Sequence, residues 1–287
     1  IPLHPCPRAV AQLARVRLDN KGVSEVVATV MLITVTLGMI VGGVFFAQLN
    51  LSMQAQATEF ENGKASMISL AQMIEGMSLV KGEAGYVRFA VSSGGLSLTP
   101  GAERFKIIVG DESGGSYEVF EDAVNLPKFR GGAGVSSLDY QVLKGVPNAL
   151  PTDYLIVSPD KAAPLGWVYL KREQGAWVIM DFGRIRVVPS GTISVTKDNG
   201  LNWEPINVIE ITYVRIVYGA FSGTNVYNVV ARVTNVTTKV IRLPDLTNIT
   251  VSVERGPYSQ SYSVPDQGGT GTIIFFNVVD VELSVGG

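Results

Sequence analysis

Cysteine and histidine are nearly missing from this chain: each occurs once, as Cys6 and His4, ahead of the first long apolar run. No intrachain disulfide can form, and beyond Cys6 the sequence offers neither thiolate nor imidazole to a metal. Nucleophilic catalysis of the Ser/His or Cys/His kind has no base downstream of His4. Long blocks of Lys or Arg are also absent, and 23 basic against 25 acidic residues leave a formal charge of −2. The basic footprint that nucleic-acid binding requires is therefore missing. With 46% hydrophobic residues over 287 positions, the chain has ample material for a packed core.

Charge is absent locally as well. Residues 26–58 contain no Asp, Glu, Lys or Arg, and the first two thirds of that stretch, VVATVMLITVTLGMIVGGVFFA, is almost wholly apolar. A helix of about 20 such residues suffices to cross a bilayer. The basic residues Arg8, Arg15, Arg17 and Lys21 precede the run. By the positive-inside tendency the N-terminus is expected in the cytoplasm and the remainder outside. An ordinary secretory signal has a shorter apolar core and no helical continuation, so that reading is set aside.

Past Ala47 there is no proline, and Leu49, Met53, Ala57, Phe60, Met67, Ala71 and Ile74 keep helical spacing. The spacing predicts one helix over residues 23–80, on the order of 85 Å long at the usual rise per residue. Its far half must pack on something other than lipid. Glu61-Asn62-Gly63 is the expected weak point, because Asn and Gly are poor helix formers. Gly38 and Gly42, with Gly43 beside them, have the small-xxx-small spacing that lets helix backbones approach closely. Glycine is also simply common in membrane helices.

Beyond Gly82 the texture changes to short β-rich runs, including YVRFAV, RFKIIV, DYLIVS, WVYLK, AWVIMDF and RIRVV, and this pattern continues to TIIFFNVVDVELSV. Strands and turns spaced in this way predict a β-sandwich over residues 81–287, with long loops around residues 124–151. The fold class is thus α plus all-β. Gly131-Gly132-Ala133-Gly134 and Gly268-Gly269-Thr270-Gly271 lack the setting and the Lys-Ser/Thr of a phosphate loop and read as loops. The carboxylates Asp111, Glu112, Glu121, Asp122 and Asp181 read as solvated surface charges, and Trp167, Trp177 and Trp203 as core. No two carboxylates are arranged for acid/base work, so the chain is not expected to be an enzyme or to need a cofactor or metal. Asn235 and Asn248 open N-glycosylation acceptor triplets.

The junction Lys21-Gly22-Val23-Ser24-Glu25-Val26-Val27 directly precedes the apolar run. Here the sequence resembles archaeal type IV pilins, in which a basic leader ends in Lys-Gly or Arg-Gly and is followed by a stretch such as Val-Ser-Glu-Val-Val. The resemblance spans roughly residues 19–47. It implies a class III signal peptide, with residues 1–22 as leader and a prepilin-type peptidase that recognises Lys21, Gly22 and Val23 and cuts after Gly22. The apolar helix would stay on the mature subunit, with Glu25, Val30, Leu32, Leu37, Gly38, Gly42, Phe45 and Phe46 on the surface that forms a filament core. Glu25 either pairs with a neighbouring subunit's terminal amine, as a glutamate does in bacterial relatives, or stays hydrated at the helix start. Archaellins and related subunits carry an immunoglobulin-like sandwich after the helix, and the same is expected here.

The function expected from these features is a structural one. The chain would be an extracellular filament subunit, in an adhesion pilus or an archaellum-like fibre. It would polymerise with itself after insertion in the membrane as a precursor, with an assembly ATPase machinery as partner. The different-class alternative is a surface binding module held by one membrane helix. A pseudopilin forming a short secretion piston shares the leader and differs in polymer length.

Overall fold

A computed structural model describes residues 20–77, 80–111, 115–196, 202–220 and 226–286, with residues 20–24 and 286 described by their backbone alone. It has one long helix followed by a two-sheet, sandwich-like body, as the apolar run and the succession of β-rich segments require. The expected leader, with His4 and Cys6, lies outside the described residues up to Asn20. By its contacts the chain forms two units, Ile1–Ser52 and Met53–Gly287.

Helix α1 covers Asn20–Gly76. It ends at Gly76 rather than at Val80. The amide of Met77 divides its hydrogen bond between the carbonyls of Met73 and Ile74, at 3.1 and 3.4 Å, and so tightens and closes the last turn. The expected break at Glu61-Asn62-Gly63 does not occur. Lys64 pairs with Glu61 at 2.6 Å, and Gly63 is there for space: a Cβ on it would come within 2.1 Å of the Phe129 ring. Packing outweighs the roughly 1 kcal/mol that glycine costs inside a helix.

The strands are β1 (Ala84–Ala90), β2 (Gly95–Asp111), β3 (Ser116–Arg130), β4 (Tyr140–Lys144), β5 (Ile156–Val157), β6 (Trp167–Arg172) and β7 (Ala176–Asp181). They continue with β8 (Ile185–Thr196), β9 (Trp203–Tyr218), β10 (Val226–Leu243), β11 (Ile249–Arg255), β12 (Tyr258–Val264) and β13 (Thr272–Gly286). One sheet has the order β1-β10-β13-β9-β8-β5, the other β12-β11-β2-β3-β7-β6-β4. Pairing is antiparallel except for β9 with β13 and β5 with β8.

The loops expected over residues 124–151 are only partly loops. β3 runs on to Arg130 despite Pro127, because β7 pairs with β3 only at residues 128–130, so the missing proline N–H faces no partner strand. β4 occupies more of the stretch, and a turn of 3₁₀ helix at Pro151–Tyr154 follows where it ends.

Two cores result. One lies between the sheets, with Phe105, Ile107 and Val109 of β2 facing Ile209, Ile211 and Tyr213 of β9, and Ile274 and Phe276 of β13. Phe105 stacks on Tyr213 at 4.8 Å between ring centres. The other gathers around the last turns of α1, where Phe60, Met67, Leu70, Ala71 and Ile74 meet Phe89, Phe129, Val229 and Leu283. β6 and β7 serve both: Val168 and Leu170 enter one core and Trp167 and Tyr169 the other. This two-sided burial is why WVYL and AWVIM read as continuous apolar runs rather than as alternations.

Candidate assembly surface

A helical residue with a large apolar side chain normally buries it against a core, which contributes roughly 1.5–3 kcal/mol. From residue 26 to residue 53 of α1 none does. Val26, Val30, Leu32, Leu37, Phe45 and Phe46 are all exposed, Leu32 by 70% and Phe46 by 68%, and so are Met31, Ile33, Met39 and Ile40 between them. The apolar surface goes all round the helix. Residues of α1 from Glu25 onward make the one helix, among the described residues, that is long and apolar enough to cross a membrane.

Three threonine hydroxyls of this segment are satisfied within it. Thr29, Thr34 and Thr36 donate their hydroxyls to the carbonyls of Glu25, Val30 and Leu32 at 2.8, 2.8 and 2.6 Å. Such back-bonding leaves the methyl groups as the outward chemistry. Among the described residues nothing lies within 4 Å of where a Cβ would stand on Gly38, Gly42 or Gly43, so no packing among them explains these glycines. Glu25 is exposed. Lys21, Gly22 and Val23 belong to the first turns of the helix, whose backbone begins at Asn20.

The second half of the helix is built differently. Its apolar residues sink into the sandwich while carboxylates tie it to nearby loops. Glu59 accepts hydrogen bonds from the Ser92 hydroxyl at 2.5 Å, the Ser93 hydroxyl at 3.0 Å and the Gly94 amide at 2.9 Å. Glu75 pairs with Lys144 and accepts from the Gly166 amide at 2.6 Å, while Lys144 donates to the Gly166 carbonyl at 2.9 Å. Gln56 accepts from the Gly134 amide at 2.8 Å, which docks the glycine-rich loop after β3 on the helix.

Behind that packing lies a buried ionic group. Asp181, expected at the surface, is fully buried. Its Oδ2 accepts from Arg255 Nη1 at 2.7 Å and its Oδ1 from the Gly183 amide at 2.7 Å. Burial would raise its pKa, but the guanidinium groups of Arg255 and Arg184 and the Gly183 amide outweigh it and hold the carboxyl below its usual range. Arg255 also pairs with Glu103. Arg184 lies 3.7 Å from Asp181, with its guanidinium 4.6 Å over the Trp167 ring, and burial pushes it down to about 10. A buried, hydrogen-bonded pair such as Asp181 with Arg255 fixes a geometry more than it adds net stability.

The other residues singled out from the sequence scatter over the body. Asp122 bonds Arg215, which also grips Asp280 through two nitrogens, so it joins the two sheets rather than facing water alone. Glu121 pairs with Arg104, and Asp111 caps the turn at Gly115; Glu112 lies outside the described residues. Trp167 is core and Trp177 partly buried, but Trp203 is 66% exposed: it opens β9 at the sheet's end, beyond the last buried positions. Asn235 and Asn248 are exposed, the first at a bulge in β10 and the second just before β11. Among the described residues no group of three or more His, Cys, Asp or Glu is placed to hold a metal ion. No protein-family model matches the chain, and neither a curated protein nor a solved structure matches it.

Proposed function

We propose that this chain is the structural subunit of an extracellular filament, which polymerises by packing the first half of α1 against the same segment of other copies. The observation that carries the reading is the apolar surface that encircles residues 26–53 while the sandwich buries its own core completely. In water such a helix must be covered by lipid, by other helices, or by each in turn. Three features favour other helices as the final cover: the Gly38/Gly42 spacing, an uncharged stretch that runs past what a bilayer needs, and the pilin-like Lys-Gly-Val-Ser-Glu junction. The contact is heterologous, one helix surface against a different one on the next copy, and so it propagates. The sandwich would form the outer layer, with Asn235 and Asn248 on the side open to glycosylation.

Electron microscopy of material sheared from cells, with N-terminal sequencing of the dominant protein of this mass, tests the proposal. Uniform filaments made of this chain are expected, with Val23 as first residue if the leader is cut. Recovery only as a membrane-bound monomer would favour the anchored binding module instead.

A further inference from the structure

Arginines in the sandwich fall into two kinds. Arg215 commits Nε and Nη2 to Asp280 at 2.7 and 2.8 Å and Nη1 to Asp122 at 2.9 Å, and Arg255 is held by Glu103 and Asp181. Arg130, closing β3, makes one long bond of 3.5 Å to the Gln174 carbonyl and lies 5.6 Å over the Trp177 ring. Arg172, closing β6, has Asp139 at 3.9 Å, a carboxylate that is 93% exposed. Each guanidinium carries five N–H donors, so Arg130 and Arg172 hold most of theirs uncommitted.

Both line the same cleft of about 500 Å³, between the glycine-rich loop after β3 and the β6–β7 hairpin. Its floor is backbone. Gly131, Gly132 and Ala176 are buried there, and a Cβ on Gly131 or Gly132 would strike Phe60 or the side chains of Ser93 and Gln56, so these two positions stay side-chain-free. Ser137, whose buried hydroxyl has no protein partner, belongs to the same lining, and Ser136 and Gln174 add further polar groups. The nearby carboxylate of Glu173 is neutralised by Lys171 at 2.5 Å and Lys128 at 3.9 Å, so it does not repel an anion.

We infer that this cleft binds a carboxylated sugar, with Arg130 and Arg172 taking the carboxylate and Ser137, Gln174 and the loop backbone taking hydroxyls. Paired N–H donors match a carboxylate's two oxygens. A cleft of this size with polar walls exceeds the needs of a small ion and offers a hydrophobic ligand only Ala133, Val135 and Ala176. The inference is independent of polymerisation.

Isothermal titration of the full chain in detergent micelles with sodium glucuronate, glucose and sodium acetate tests it. Saturable glucuronate binding is expected, about tenfold or more tighter than either comparison compound, since charge and hydroxyl contacts must both be present. The double variant Arg130→Gln/Arg172→Gln should abolish binding with its unfolding temperature unchanged, and Ser137→Ala should weaken it several-fold. Absence of saturable binding, equal affinity for glucose or for acetate, or retention of binding in the double variant would overturn the assignment. If the double variant misfolds, the single exposed change Arg172→Gln decides by the same criterion.

Discussion

Residues 26–53 and residues 60–74 belong to one helix and carry similar apolar side chains, yet one set is exposed and the other buried: Leu32 is 70% exposed and Leu70 not at all. The difference is in what lies between the apolar positions. In the second half Glu59, Glu61, Asn62, Lys64, Ser66, Ser69, Gln72 and Glu75 alternate with Phe60, Met67, Leu70, Ala71 and Ile74, which leaves a single apolar stripe that one sandwich can cover. In the first half no polar stripe exists, so no single domain can cover it. One segment is completed by its own chain; the other requires cover from lipid or from other helices.

Substitutions on the two halves should therefore separate assembly from folding. Replacing Val30, Leu32, Leu37 and Phe46 together by Gln is expected to abolish filaments while the sandwich unfolds at an unchanged temperature by circular dichroism; a matching loss of fold stability would break the distinction. In the body, Asp181→Asn should cost about 3–5 kcal/mol in denaturant unfolding, because it removes the carboxylate beside the buried Arg184 and leaves Arg255 only Glu103. Asp181 has a folded pKa below its unfolded one, so its contribution is complete above the ordinary carboxylate range and lost as pH falls below it. Wild-type stability should fall in acid more steeply than that of Asp181→Asn.

Leu70→Ala should destabilise the sandwich by about 2–5 kcal/mol through the cavity it leaves, with residual filaments still forming at low temperature. The smallest effect is expected from Gly42→Leu. Since nothing lies within 4 Å of its Cβ position, stability should not change, whereas polymer yield per cell should drop several-fold. Normal yield from this variant would remove close helix packing from the filament proposal.

The fold was legible where one periodicity dominates. The apolar run, the helical spacing through Ile74 and the strand texture beyond Gly82 all lead to the elements observed. What escaped reading depends on partners distant in sequence. Gly63 looks like a helix breaker until Phe129 fills the space beside it, and Asp181 looks like a surface charge until Arg255 and Arg184 arrive beside it in the folded body. Residues 124–151 suggest a loop until β3 is seen to run through Pro127, which pairs with Leu98 of β2 and has no partner on its β7 side. Arg130 and Arg172 carried no sequence signal, because only the packing of the loop after β3 against the β6–β7 hairpin brings them to one cleft.

The central proposal is that residues 26–53 are covered by other copies of the same segment. The most direct test places a cysteine at Leu37, with Cys6→Ser so that no other thiol is present, and applies a short thiol cross-linker to intact sheared material. A cross-linked dimer, the largest product that one thiol per chain allows, is the expected result, and it should disappear when the material is first dissociated in detergent. An exclusively monomeric band from intact material, with the thiol protected only when lipid is present, would contradict the proposal and make the helix a membrane anchor.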